Sequence, residues 1–143
     1  MTSPKFDHVG ILVDSFGAVA DFMATWIGLD IVVPHREEAL GLDILWVDVD
    51  GVGLEFICPF DPDTKAAELL RQGRGGVHHV AFQVHELDGM LQDLGRAGVR
   101  LNDAAPRPGV HGSRIAFVDP TSTDGVLIEL VEHLVPNTRE LHG

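Results

Sequence analysis

The chain carries an internal repeat. His8-Val9-Gly10 overlays His79-Val80-Ala81, Gly28-Leu29 overlays Gly98-Val99, and Leu54-Glu55-Phe56 overlays Ile128-Glu129-Leu130, at an offset of about 70 residues. A period of this length constrains architecture more than any single segment does, because each copy must form the same supersecondary unit and bury its apolar face with help from its neighbour.

Within the first copy, the run Phe6-Asp-His-Val-Gly-Ile-Leu-Val13 is rich in apolar and β-branched residues and predicts a strand. Phe16, Val19, Phe22, Met23 and Trp26 recur at three- and four-residue spacing, predicting a helix over 15–27 that Gly28 stops. Strands are expected at 30–33, 43–49 and 53–58, the last two joined by the turn dipeptide Asp50-Gly51. A short helix over 63–72 follows, with Asp63 as its cap and Gly73 as its stop.

The second copy reads the same way. It has a strand at 76–84, a helix over 87–97 ended by Gly98, and strands at 99–101, 113–118 and 126–131. The expected fold is α+β: two βαβββ repeats, about 6–60 and about 76–133, pairing into one curved eight-stranded mixed sheet that encloses a metal site. At 143 residues and 45% hydrophobic content, one domain over 1–143 is expected.

No apolar run approaches the ~20 residues that span a bilayer, and residues 1–5 lack the apolar stretch of a signal peptide. Neither membrane association nor export is expected, and the cytoplasm is the expected compartment. Cys58 is the single cysteine, in an apolar run where a buried free thiol is the ordinary outcome. A formal charge of -12 repels phosphate backbones and argues against nucleic acid as a partner. The bases are uneven, though: between Phe6 and Phe60 Arg36 stands alone against ten acidic residues, whereas Lys65, Arg71, Arg74, Arg96, Arg100, Arg107 and Arg114 crowd the middle, where an anionic ligand would dock.

Strand alternation places His8, Gly10 and Leu12 on one face of the first strand and His79, Ala81 and Gln83 on one face of its counterpart. Glu55 and Glu129 each alternate with apolar neighbours, so each carboxylate points away from a core-forming side. An ionised carboxylate among strands needs a metal or a hydrogen-bond partner. Four such groups at repeat-related positions suggest one site for a divalent ion, with cobalt, manganese, nickel, zinc and iron(II) all compatible with the donor set. Taken singly, each histidine could be structural and each glutamate solvated. His78 has the opposite parity to His79, and His35, His85, His133 and His142 lie in turns or near the end.

Three stretches carry a family resemblance: Phe6-Asp-His-Val-Gly-Ile, Gly75-Gly-Val-His-His-Val-Ala-Phe, and the long run from Pro106 through Gly112-Ser-Arg-Ile-Ala-Phe-Val-Asp-Pro to Ile128-Glu-Leu. The chain resembles the vicinal oxygen chelate superfamily over nearly its whole length, and within it the methylmalonyl-CoA epimerase branch. The resemblance implies a metal held by His8, Glu55, His79 and Glu129, an acyl-CoA substrate and a homodimer. A departure lies between Val33 and Leu45, where the epimerase pattern gives way to Ala39-Leu-Gly-Leu-Asp43.

Epimerisation between a thioester and a carboxylate requires proton removal on one face and return on the other, and a bound cation would stabilise the developing oxyanion. Glu129 is the expected first base, and Asp43 is a candidate second base because it shares the parity of Leu45 and Val47. His111, in the glycine-containing loop, with Arg107 and Arg114 on either side, is expected to contact substrate. The scaffold also supports glyoxalase-type lyases, ring-cleaving dioxygenases and metal-free binding modules of the resistance type, so the fold alone does not select the chemistry.

Overall fold

The computed structural model describes residues 4–134. Eight strands form a mixed sheet in the order β2-β3-β4-β1-β5-β8-β7-β6, with three α-helices in an α+β arrangement. The chain divides into two compact units: residues 9–78 form one, and residues up to 8 together with those from 79 onward form the other. The division does not follow the repeat boundary, since the start of β1 (Lys5–Leu12) belongs with the second copy.

In the unit of residues 9–78, β3 (Leu42–Val49) and β4 (Val52–Pro59) form an antiparallel hairpin. Its two-residue turn has Asp50 at φ 53° and Gly51 at φ 86°. Both central residues are left-handed, the geometry that matches strand twist and that Asp-Gly tolerates best. Leu45 faces Phe56 across this hairpin and Val47 faces Leu54, and this side packs on Met23, Phe16 and Val19. The helix α1 (Gly17–Phe22) continues as a π-helical turn, Met23–Ile27, until Gly28 ends it at φ 81°. The helix α2 (Lys65–Arg71) is capped by Thr64, whose Oγ1 accepts from the Ala67 amide at 3.1 Å, one residue later than the expected Asp63.

In the other unit, β8 (Ile128–His133) runs parallel to β5 (Gly76–Gln83) and antiparallel to β7 (Ser113–Val118). The helix α3 (Leu87–Arg96) covers one face. Leu87 and Leu91 are buried there against Ala116, Val118 and Leu130. The opposite face has its own apolar group of Ala81, Ile115, Val131 and Phe117.

One expectation about strands fails in both copies, and in the same way. Residues 30–33 form no strand, and Leu101 makes a single bridge to Val118. The second strand of each copy comes later instead, as β2 (His35–Glu37) and β6 (Arg107–Pro108). Both are short edge strands at opposite ends of the strand order. An edge strand has one paired side and needs no buried face, so polar residues and a proline are tolerated and hydrophobic patterning does not reveal it.

No helix among the described residues is long and apolar enough to cross a membrane. Since Leu91 is buried against α3's supporting strands, Leu91→Ala is expected to lower the unfolding free energy by about 2–5 kcal/mol. Urea denaturation followed by circular dichroism measures this, and a loss below about 1 kcal/mol would mean the α3 face is not a packed core.

Candidate metal centre

Three strands of one unit bring His8, His79 and Glu129 together. β1 supplies His8, β5 supplies His79 and β8 supplies Glu129. In the parallel pairing Glu129 lies beside Ala81, so His79, two residues earlier, projects from the same face as the carboxylate. Ala81 is fully buried, and its small side chain leaves the space between these groups open. Phe117 pairs with Glu129 from β7 and meets the His79 ring edge-on, with centroids 5.4 Å apart.

All three residues are buried, and their ligand atoms lie within 4.8 Å of one another. His8 Nε2 is 3.1 Å from His79 Nε2 and 3.3 Å from Glu129 Oε1, and His79 Nε2 is 3.6 Å from Glu129 Oε2. Donors each ~2.1 Å from a common ion would be separated by about 3.0 Å at octahedral angles and about 3.4 Å at tetrahedral ones, close to these distances. The donor set therefore fits one divalent ion.

A residue not anticipated from the sequence supports this arrangement. Asp7 Oδ2 lies 2.6 Å from His8 Nδ1, and Asp7 Oδ1 lies 2.6 Å from His133 Nε2. Burial acts to raise the Asp7 pKa, but hydrogen bonds to His133 and His8 outweigh it and hold the carboxyl well below the usual carboxylate range. Asp7 is thus ionised and accepts from both rings. The sequence signal was adjacency alone: an acid directly before a candidate ligand on a strand points to the other face, and nothing in the pattern shows that it folds back.

The remaining expected site residues are placed differently. Glu55 is buried on β4 in the other unit, opposite Trp46 and on the face away from the Leu45–Phe56 core. Asp43 pairs with Cys58, on the Leu45–Phe56 side of the same hairpin, so Asp43 and Glu55 project from opposite faces. Arg36 also donates two hydrogen bonds to Asp43, at 2.8 and 3.0 Å, and these lower its pKa. The parity argument was sound; the side it indicated is the helix-covered one, and a carboxylate clamped by a guanidinium is a poor base. The expected second base, Asp43, is thus held by Arg36 on the face opposite Glu55.

The two expected arginine contacts also separate. Arg114 donates to Asp88 at 2.7 Å and to Glu132 at 3.1 Å, so its charge is spent within the protein. Ala116 and Val118, which share its parity, pack in the α3 core. Arg107 instead holds its guanidinium over Phe117, 5.4 Å from the ring centre, while its Nε donates to Asp103. Phe117 also touches His79, so Arg107 is the cation on the metal-site face. His111 is exposed at φ 57° in the turn between β6 and β7.

A profile described as Glyoxalase/Bleomycin resistance protein/Dioxygenase superfamily matches residues 7–117. The chain belongs to that superfamily. It is 34% identical to the uncharacterized protein YqjC of Bacillus subtilis, covering 90% of this chain and 91% of that protein. It is 28% identical to the mitochondrial methylmalonyl-CoA epimerase of Dictyostelium discoideum, covering 90% and 78% respectively. Among solved structures, a methylmalonyl-CoA epimerase variant of Streptomyces coelicolor in complex with 2-nitronate-propionyl-CoA superposes with a TM-score of 0.81 at 30% identity, covering 92% of this chain and 95% of that one.

Replacing both histidines, His8→Ala with His79→Ala, is expected to abolish stoichiometric metal while leaving the circular dichroism spectrum of the folded protein. Elemental analysis of purified protein reads this out. One equivalent of metal retained by the double variant would place the ion elsewhere.

Proposed function

We propose that this protein is a metal-dependent epimerase acting on an acyl-CoA whose reacting carbon lies between a thioester and a carboxylate, with methylmalonyl-CoA as the first substrate to test. The observation that carries the reading is the buried convergence of His8, His79 and Glu129. The epimerase relatives, matched over most of their length, support it. By its equivalence to Glu129 in the repeat, Glu55 is proposed as the fourth ligand.

A divalent ion in this centre would supply Lewis-acid stabilisation of negative charge developing on the substrate oxygens. The chain's own residues do the rest. Glu129, with two carboxylate oxygens, serves as ligand through one and takes the C2 proton with the other. Ala81, Ile115, Val131 and Phe117 make an apolar surround beside it, where charge interactions are stronger than in water. Arg107, positioned on Phe117, offers its free guanidinium edge to an anionic group of the substrate.

One observation favours a second reading. Inversion needs a second proton donor, and on the Glu55 face of β3 the residues are Leu42, Ile44, Trp46 and Asp48, the last exposed beside the hairpin turn, with Asp43 on the far side. A glyoxalase-type lyase, in which one carboxylate moves a proton between neighbouring carbons, has no need of that second group.

In deuterated water, wild-type protein loaded with cobalt is expected to exchange the C2 proton of methylmalonyl-CoA and interconvert its epimers. Glu129→Ala is expected to lower both by about 10²-fold or more, as it removes ligand and base together. Absence of both reactions, with isomerisation of the methylglyoxal–glutathione hemithioacetal instead, would replace the epimerase with the lyase.

For the arginines, Arg107→Ala is expected to raise KM about tenfold with kcat nearly unchanged, the loss of one charged hydrogen bond. Arg114→Ala should leave KM within about twofold, because its partners are protein carboxylates. Steady-state kinetics at low and high salt decides between them, and equal effects would remove the assignment of Arg107.

A further inference from the structure

His133 ends β8, four residues after Glu129 on the same strand, and strand alternation puts both on one face. Its Nε2 meets Asp7 Oδ1 at 2.6 Å, while the other Asp7 oxygen meets His8 Nδ1 at the same distance. Asp7 is 3% exposed and the His133 side chain 9%. Each oxygen of a buried carboxylate is therefore taken by one imidazole nitrogen, in a chain running His133, Asp7, His8.

The chemistry of the middle group dictates the hydrogens. A carboxylate whose two oxygens each meet a ring nitrogen at 2.6 Å accepts from both when each facing nitrogen carries its proton. His8 is then the Nδ1–H tautomer, and its Nε2 presents a lone pair toward His79 Nε2 and Glu129 Oε1. An imidazole in the other tautomer would place a hydrogen where a metal ion must sit. A carboxylate on the far nitrogen of a ligating histidine both fixes the ring and raises its basicity.

His133 adds a second hold on Asp7. The Asp7 side chain rotates about two bonds, and a hydrogen bond to His8 alone restricts it less than one to each oxygen. The second hydrogen bond, from the strand that also supplies Glu129, removes that freedom. One strand thus provides a ligand and the clamp for another ligand's support.

We propose that Asp7 and His133 are a positioning pair that locks His8 in its metal-binding tautomer and orientation, an inference that rests on the reading of His8, His79 and Glu129 as a metal centre. His133 belongs to no motif of the repeat: the equivalent distance after Glu55 falls on Pro59. The device therefore has no counterpart in the repeat, since Asp7 itself overlays His78.

Two measurements test it. In metal-free protein labelled with 15N, long-range proton–nitrogen spectra are expected to show His8 protonated on Nδ1, and Asp7→Asn is expected to abolish that preference. Separately, cobalt(II) titration followed by absorbance is expected to show affinity reduced about 10- to 100-fold in Asp7→Asn, less in His133→Ala, and largely restored in His133→Gln, whose amide can still donate to Asp7. Thermal melts of the same variants identify any that fail to fold, and His133→Ala, near the surface, is the fallback for Asp7→Asn. A purely structural tie would lower the melting temperature without changing the tautomer or the affinity of the folded variants. If wild-type protein takes up no cobalt, the metal-centre reading fails, while the tautomer spectra still judge the positioning pair. If wild type binds cobalt and His8 carries its proton on Nε2, or folded variants bind as wild type does, the pair has no positioning role.

Discussion

Two imidazole nitrogens 3.1 Å apart, with a carboxylate oxygen 3.3 Å from one of them, are packed where water is scarce. Lone pairs aimed at each other in such a place repel unless a proton or a metal ion lies between them, and the cost of burying them rises as the surroundings become less polar. The rest of this unit answers that constraint. Ala81 is small where the groups converge, Phe117 closes the side, and Asp7 settles where one of the protons goes.

The parallel pairing of β5 with β8 makes the convergence possible. It sets Ala81 beside Glu129, which leaves His79 one pleat away on the same face. An antiparallel partner, β7, then carries Phe117 to the same place, and Phe117 in turn seats Arg107. Slipping β8 by one residue would send Glu129 to the α3 side among Leu87, Leu91 and Ala116 and bring Leu130 to the site, which is why register is strongly specified where the two faces differ so much.

The convergence of His8, His79 and Glu129, the repeat and the long strands and helices were legible in the sequence, since each rests on local periodicity or on identity between copies. Less legible were features whose cause is not local. The edge strands β2 and β6 have polar sequences because only one side of each is paired. Thr64 displaced Asp63 as a cap because capping depends on a backbone angle, not on which acceptor comes first. Asp43 has the parity read for it, but parity does not say which face the helix will cover.

His133 is the sharpest case, a residue dismissed by position near the end that lies 2.6 Å from an aspartate 126 residues earlier. By itself the sequence determined the alternation that puts His8, His79 and Glu129 on defined strand faces, because strand geometry has a period of two whatever else the chain does. Only the tertiary structure decided which faces meet, which arginine keeps an open edge and which acid supports a ligand. Those depend on strand order and on contacts between distant residues, and chain periodicity carries no information about either.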